Sequence, residues 1–226
     1  MTADGTSVQV PDSHDNRAHY GLPATQPAVD APPHSRALLP RIHVMALAEH
    51  KAHTIRHVAL ERPPTYPAGT LARELCRSLK EGHLLLADEG FLDPAAQAVA
   101  RANGTDLLWR IHPTSISHDI AHLPDGSRLC VLHENPRKVR VIQPSPPAHE
   151  DGWNPTLLTT TVLDHQAAPA ADLTALSQPH WRLRSSLATI GPGTPQVLRS
   201  RWPEGVEQEI WGHLLVQHAI HTLLYV

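Results

Sequence analysis

The chain has 226 residues, a formal net charge of −3, 18 histidines and 22 prolines. This length is enough for one α/β domain with an insertion, and the small negative charge gives no general attraction to nucleic acid. Two cysteines without paired spacing indicate a reducing compartment. No signal peptide and no apolar run of the ~18 residues typical of a membrane helix is found. We therefore expect a cytoplasmic protein with no membrane partner.

The first part of the chain predicts three strands and one long loop. Residues 3–10 have the features of a strand that carries Asp4 and bends at the glycine after it. Residues 11–40 are rich in Pro, Asp, Ser and His without periodicity, which predicts an irregular loop. Residues 41–49 and 53–61 alternate loosely between apolar and polar side chains and predict two further strands.

A short apolar strand followed by a carboxylate lies near the middle of the chain. A leucine stripe over residues 71–80, preceded by the candidate N-cap Thr70, predicts a helix. The run Leu84–Ala87, between two glycines, predicts a strand buried on both faces. Asp88 follows at the carboxyl end of this strand, where open α/β sheets bind ligands. Two interpretations of Asp88 stay open, a metal-binding carboxylate and a cap of the next helix.

Beyond Asp88 the pattern predicts one more helix and strand and then a β-rich insertion. Asp93 and Pro94 are typical of a helix start, and Asp106–Ile111 predicts the strand that follows that helix. A turn is predicted at Asp125, which precedes a glycine. This order indicates a mixed α/β sheet with flanking helices. The predicted strands of the insertion cover residues 128–132, 138–142 and 157–163, and the helices after it cover residues 170–177 and 204–225.

Five stretches in a fixed order resemble one family. They are ADGT at residues 3–6, LLLADEGF at 84–91, TDLLWR at 105–110, LPDGS at 123–127 and VLRSRWPEGVEQEIW at 197–211. In this order they resemble the DDE transposases of the bacterial insertion sequence 4 group. The first two resemble the first two catalytic blocks, and the last is similar to the C-terminal helix region.

The resemblance implies a ribonuclease-H-like mixed sheet with a β-rich insertion before the C-terminal helices. It divides the chain into the first part of the catalytic core (1–117), the insertion (118–168) and the helices that complete the core (169–226). It also implies that two Asp and one Glu hold Mg²⁺ for DNA cleavage and strand transfer. Asp4 and Asp88 match the two Asp positions. The implied partners are DNA at the element ends and a possible homodimer.

The third catalytic block departs from the family. Ser177 stands where the family has Tyr, Pro179 falls inside an expected helix, and Arg184 stands for the catalytic Glu. A cation in place of a carboxylate reverses the electrostatics of a metal site. The family's DNA-binding region and most of its first strand would precede Asp4, where this sequence has three residues, so we expect a frayed Asp4. These departures predict a truncated, catalytically inactive member.

Two other functions are compatible with the residues. A DNA-binding module without catalysis would use arginines near the third block to contact phosphates. A histidine metal site is the second alternative, because His50, His53 and His57 have helical spacing, although a strand and turn would separate them. The arginines of the first alternative are Arg182, Arg184, Arg199 and Arg201.

Cysteine and tryptophan side chains are expected to serve packing. Cys76 lies on the predicted leucine stripe and is expected in the core. Trp109, Trp181 and Trp211 are expected to be packing anchors, because large aromatic side chains contribute most of the buried area in a core.

Overall fold

The computed structural model describes residues 1–22, 39–50, 54–61, 69–87, 93–133, 136–144, 157–177 and 197–224. Within these ranges the chain forms an α/β fold with one mixed sheet of nine strands; the sequence predicted the mixed sheet but not the strand Ile116–His122. The strands are β1 (Thr2–Gln9), β2 (Arg41–Ala48), β3 (Ile55–Leu60), β4 (Leu84–Ala87), β5 (Asp106–Ile111), β6 (Ile116–His122), β7 (Arg128–Leu132), β8 (Lys138–Ile142) and β9 (Leu157–Thr160).

Five α-helices accompany the sheet in the described part of the chain. None of them is both long enough and apolar enough to cross a membrane. The helices are α1 (His14–Tyr20), α2 (Thr70–Cys76), α3 (Pro94–Ala102), α4 (Ala170–Ser177) and α5 (Pro203–Leu224).

The strand order across the sheet is β3-β2-β1-β4-β5-β9-β8-β7-β6. The first three strands are antiparallel to one another, whereas β4 runs parallel to both β1 and β5. The strands of the predicted insertion continue the same sheet, because β9 pairs antiparallel with both β5 and β8, β8 pairs with β7, and β7 pairs with β6. Strand β1 is therefore an inner strand of the mixed part of the sheet.

The sheet has helices on both faces. On one face Leu85 and Leu107 pack in a cluster with α2 and α3. On the other face Leu86 packs with Leu173 of α4, and Val8 packs with Ile210 of α5. The apolar strand β4 is thus buried on both faces, as its sequence predicted, because adjacent side chains of a strand point to opposite faces.

Local signals predicted several element boundaries correctly. The Asp93 carboxylate accepts a hydrogen bond from the Ala96 N–H at 2.6 Å and caps α3, which begins at Pro94. The helix ends before Gly104, whose φ of 73° lies in the left-handed region that favours glycine. Cys76 is fully buried, in agreement with the expected core position.

Other sequence predictions were wrong. Helix α1 lies inside the segment predicted as an irregular loop, and Ser13 caps it by accepting a hydrogen bond from the Asn16 N–H at 3.1 Å. Helix α2 ends at Cys76 and not at residue 80, with Gly69 in the N-cap position. Trp109 is buried as predicted, but Trp211 is 42% exposed, and Trp181 lies outside the described residues.

A buried ion pair joins the β6–β7 hairpin to strand β8 and helix α4. The Arg140 side chain is fully buried and forms an ion pair with Asp125 in the turn between β6 and β7. Arg140 also donates to the Ser127 hydroxyl at 2.8 Å and to the Ala168 carbonyl at 2.6 Å. The Asp125 carboxylate accepts the Ala170 N–H at 3.0 Å, at the start of α4. One pair of charges thus connects the β6–β7 turn, the middle of β8 and the start of α4.

The pair predicts a large loss of stability when only one partner is removed. In Asp125→Ala the buried Arg140 guanidinium keeps its charge without a counterion, and we expect unfolding by urea to show a loss of about 3–5 kcal/mol. Asp12→Ala is a matched control, because Asp12 forms an ion pair with Arg17 on the surface. Surface ion pairs contribute little, so the control should stay close to the unmodified chain.

The same pair predicts a dependence of stability on pH. Burial alone would raise the pKa of Asp125, but hydrogen bonds from Ser127 and Ala170 and the charge of Arg140 lower it from 3.8 to about 2. A carboxylate with a lowered folded-state pKa stabilises the fold above its unfolded pKa, and this contribution is lost as the pH falls from about 4 to about 2. Asp125→Asn should therefore lose less stability than the unmodified chain over this interval. An equal loss in both proteins would contradict the role of this pair.

Candidate active site

Asp4 lies on the inner strand β1 and faces the side of the sheet that α4 and α5 cover. It pairs with Ala46 of β2, and both side chains share a face with Val8. Asp4 is only 9% exposed, and its Oδ1 accepts the Gly5 N–H at 2.7 Å. The expected fraying of Asp4 is therefore wrong. The strand pairs with β2 from Thr2 onward without a shift of register, so the predicted bend at Gly5 does not interrupt the ladder.

The start of β1 is held by β4. The amino nitrogen of Met1 donates to the Leu84 carbonyl at 2.8 Å, and the Leu86 N–H donates to the Met1 carbonyl at 2.9 Å. Thr2 is the register partner of Leu86. Hydrogen bonds to β2 on one side and to β4 on the other keep this short start in the sheet, which explains why Asp4 is buried.

Asp88, the second predicted site carboxylate, lies outside the described residues, which end at Ala87 on this side of the gap. The position of Ala87, the residue before Asp88, is described. Ala87 is 5% exposed and pairs with Trp109 of β5 in parallel register. The carboxyl end of β4 therefore lies between β1 and β5, with Asp4 on the neighbouring strand.

A shallow depression borders this end of β4. Ser177, the last residue of α4, and Arg110 of β5 both line it. Arg110 follows Trp109, the partner of Ala87, so it stands one residue beyond the described end of β4 on the adjacent strand. No sequence signal indicated Arg110 as a site residue. The residues that line the depression are Leu86, Ala87, Leu108, Arg110, Leu158 and Ser177.

The predicted DNA-binding arginines are divided between described and undescribed segments. Arg182 and Arg184 lie outside the described residues, whereas Arg199 and Arg201 are exposed just before α5. The Leu198 N–H donates to the Gln9 carbonyl at 3.0 Å, so this pair lies beside the far end of β1. Gln9 is five residues from Asp4, which corresponds to roughly 16 Å along a strand. The structure does not bring Arg199 and Arg201 to Asp4.

The three histidines of the alternative metal site are not on one helix. His57 is exposed on β3, and His50 follows β2, where its Nδ1 lies 3.0 Å from the Thr2 hydroxyl. His53 falls in a segment that the structure does not describe. No group of three His, Cys, Asp or Glu side chains that could hold a metal ion occurs among the described residues.

Neither thiol has the features of a nucleophile. Burial, together with the nearby Asp93 charge, raises the pKa of the Cys76 thiol to about 12. Burial and a hydrogen bond to Asp119 raise that of Cys130 to about 12 as well. Because the thiolate is the reactive form, both cysteines are structural at neutral pH.

The described residues alone do not fit a Mg²⁺ site. Mg²⁺ prefers carboxylate and water oxygens, and it is usually held by one or two carboxylates. Of the described residues at this edge, Asp4 is the acidic side chain, and Arg110 places a cation at the depression. A metal here would therefore depend on carboxylates beyond the described ranges.

The histidine arrangement predicts that zinc does not stabilise the fold. Adding one equivalent of zinc to the full chain should leave the thermal unfolding temperature unchanged, because a ligand stabilises only a folded state that binds it. The control is His53→Ala, which removes one of the three candidate ligands. A clear rise in unfolding temperature with zinc, absent in this variant, would contradict the expectation.

No protein-family model and no curated protein matches this chain. The fold and the geometry around Asp4 are therefore the observations from which a function can be argued.

Proposed function

We propose that this chain is a ribonuclease-H-like domain related to the DDE transposases of the insertion sequence 4 group, and that it has lost DNA cleavage and strand transfer. The sheet topology supports the fold. Strands β1, β2 and β3 form an antiparallel unit, and β4 and β5 extend it in parallel on the other side of β1. Asp4, the proposed first carboxylate, lies on the strand shared by the two units, and this position supports a ribonuclease-H-like site.

The register between β1 and β4 is the observation that carries this proposal. Thr2 pairs with Leu86 in parallel register. Asp4 follows Thr2 by two residues, and Asp88 follows Leu86 by two residues. If the same register continues, the two carboxylates are neighbours on the face covered by α4 and α5.

The position of α4 supports the assignment of the third block. In the proposed alignment the block begins at Ser177, and this residue lines the depression beside the end of β4. The segment that leaves α4 therefore starts close to the proposed site. In the proposed alignment it carries Arg184 where the family has its catalytic Glu.

Electrostatics favour loss of activity. A glutamate at position 184 would add a negative ligand, whereas arginine adds a cation that repels a metal ion. One such charge at about 4 Å opposes a monovalent cation by roughly 4 kcal/mol at an effective dielectric constant of 20, and a divalent cation by more. We infer that the domain has lost the ligand set needed to clamp the attacking and leaving oxygens.

A DNA-binding module without catalysis is a second candidate. Its support is the exposure of Arg199 and Arg201 beside Trp202, which is itself 56% exposed. Arginine contacts to phosphate and an aromatic side chain for base stacking are typical of nucleic-acid surfaces. The Glu209 carboxylate accepts the backbone N–H of Arg199 at 2.8 Å and adds negative charge nearby. Binding that weakens steeply with salt and is lost in Arg199→Ala would favour this candidate.

A cytoplasmic location is part of the proposal. Both cysteines are free thiols in the core, and this state is stable where the surroundings are reducing.

The unmodified chain should neither nick nor join DNA with Mg²⁺ or Mn²⁺. A supercoiled plasmid incubated with the full chain and either metal should stay supercoiled, because the third carboxylate is replaced by Arg184. Asp88→Ala prepared in the same way measures contaminating nuclease. Metal-dependent nicking by the unmodified chain that Asp88→Ala abolishes would show that another residue supplies the third ligand.

Restoring the carboxylate should strengthen metal binding. Calorimetry should show that Arg184→Glu binds Mg²⁺ roughly tenfold or more tightly than the unmodified chain, because a repelling charge becomes a ligand. Arg182→Glu makes the same change of net charge two residues away and is the matched control. Equal gains in both variants would indicate a general charge effect and contradict the assigned position. Cleavage need not return, since other parts of the third block also differ.

A further inference from the structure

The turn between β6 and β7 supplies a cap for the distant helix α4. This turn is the LPDGS stretch, residues 123–127. The Asp125 Oδ1 accepts the Ser127 N–H at 3.1 Å and the Ser127 hydroxyl at 2.5 Å, which fixes the orientation of the carboxylate. Its Oδ2 accepts the Ala170 N–H at 3.0 Å. We name this last hydrogen bond the distal cap, because its two residues are 45 positions apart in the sequence.

Helix α4 depends on the distal cap because the residue before it cannot act as a side-chain cap. The Leu173 N–H donates to the Pro169 carbonyl at 3.2 Å, so Pro169 takes the N-cap position. Proline has no side-chain acceptor, whereas Ser, Thr, Asp or Asn in this position normally accepts an N–H of the first turn. Asp125 supplies an acceptor together with a negative charge, which is favourable at the amino end of a helix.

The contacts of α4 with the sheet are limited. The helix has eight residues, which are too few for a stable helix without tertiary contacts. Its apolar contacts come from one side, where Ala170 and Leu173 are buried and Leu176 is partly buried. Ala171 and Ala175 are exposed on the other side. We therefore expect α4 to leave the sheet as one unit when the distal cap breaks.

Arg140 holds the segment before α4 independently of the helix. Its guanidinium donates to the Ala168 carbonyl at 2.6 Å and to the Asp164 carbonyl at 3.4 Å. Both carbonyls precede Pro169, so these contacts persist when the helix moves. The hinge of such a movement is therefore the backbone between Ala168 and Ala170.

The surface beneath α4 extends to the proposed site. The cluster that contains the buried side chains of α4 also contains Leu86, Leu108, Leu158 and Ile142 of the sheet. The first three of these residues line the depression beside the end of β4, and so does Ser177 at the end of the helix. Ligands of open α/β sheets bind at the carboxyl ends of the strands. The depression is thus the open margin of a larger surface that α4 covers.

We propose that α4 is a lid over the ends of β4 and β5, and that the distal cap keeps this lid closed. Opening breaks the hydrogen bond between Asp125 and Ala170 and moves α4 off the sheet, while the nine strands stay paired. The open state exposes the apolar surface beneath α4 and removes Ser177 from the end of β4. This movement follows from contacts of the described residues and does not require the relationship with transposases.

Hydrogen exchange of the full chain at several low urea concentrations tests the lid. Amides of residues 174–177 should exchange through an opening whose urea dependence is ~half or less of that of amides in β1, because the lid exposes less surface than global unfolding. In Asp125→Asn this opening should be at least ~tenfold more frequent and should keep its weak urea dependence. The neutral side chain loses the charge and one of the two acceptor oxygens.

Two further variants separate the distal cap from general effects of charge. Ala170→Pro removes the N–H that donates to Asp125 and leaves Asp125 and Arg140 charged, and proline is tolerated at the first helical position. It should increase the same opening. Asp172→Asn is the matched control, because it removes an exposed carboxylate from the same turn of α4. It should change the exchange far less than Asp125→Asn, since an exposed charge near a helix end contributes little.

Thiol labelling identifies the surface that opens. Leu158→Cys places a thiol beneath α4, at a position where the native side chain is 3% exposed. Cys76 and Cys130 are buried in the cluster on the opposite face of the sheet and serve as the internal reference. Position 158 should be labelled at least ~tenfold faster than these two cysteines, and Asp125→Asn should increase its rate further.

Three results would overturn the proposal. The first is an equal urea dependence of exchange in α4 and β1, which would show that the helix opens only when the whole chain unfolds. The second is unchanged exchange of α4 in both Asp125→Asn and Ala170→Pro. The third is equal labelling of position 158 and the two native cysteines.

Discussion

The parallel pairing of β1 with β4 is the interaction on which the rest of the structure depends. It joins the antiparallel unit of β1, β2 and β3 to the strands from β5 to β9, and it consists of a short ladder around Thr2 and Leu86. Met1 contributes both its amino nitrogen and its carbonyl to this ladder. Without the β1–β4 pairing, Ala3 and Leu85 would no longer pack in the same hydrophobic cluster, and Asp4 would no longer lie beside the end of β4.

The buried Arg140–Asp125 pair has a related role on the other side of the proposed site. Asp125 connects the β6–β7 turn to the first turn of α4 through the Ala170 N–H. Because α4 ends at Ser177, beside the depression, the charge pair at the start of this helix helps to position its end relative to β4. Strands β6 to β9 share one sheet with β1 and β4, so they belong to the scaffold on which the proposed site lies.

Local signals predicted the elements, but not the contacts between them. The burial of β4 and the start of α3 follow from a few adjacent residues, which is why the sequence predicted them. Helix α1 was missed because it has seven residues, and its Asn16 side chain is held by the distant Ser200 carbonyl at 3.0 Å. Arg110 was missed because its place at the depression depends on the β4–β5 register. The exposed side of Trp211 likewise depends on which face of α5 meets the sheet.

The separation of the Asp4 and Asp88 carboxylates tests the central claim most directly. A crystal structure of the full chain that resolves both side chains would measure it. The proposal predicts adjacent strands, the same sheet face and a shortest oxygen–oxygen distance of roughly 3–5 Å, since one Mg²⁺ binds oxygens at about 2.0–2.1 Å and one Ca²⁺ at about 2.3–2.6 Å. Carboxylates on opposite faces of the sheet, or separated by more than about 10 Å, would contradict a ribonuclease-H-like site at this position.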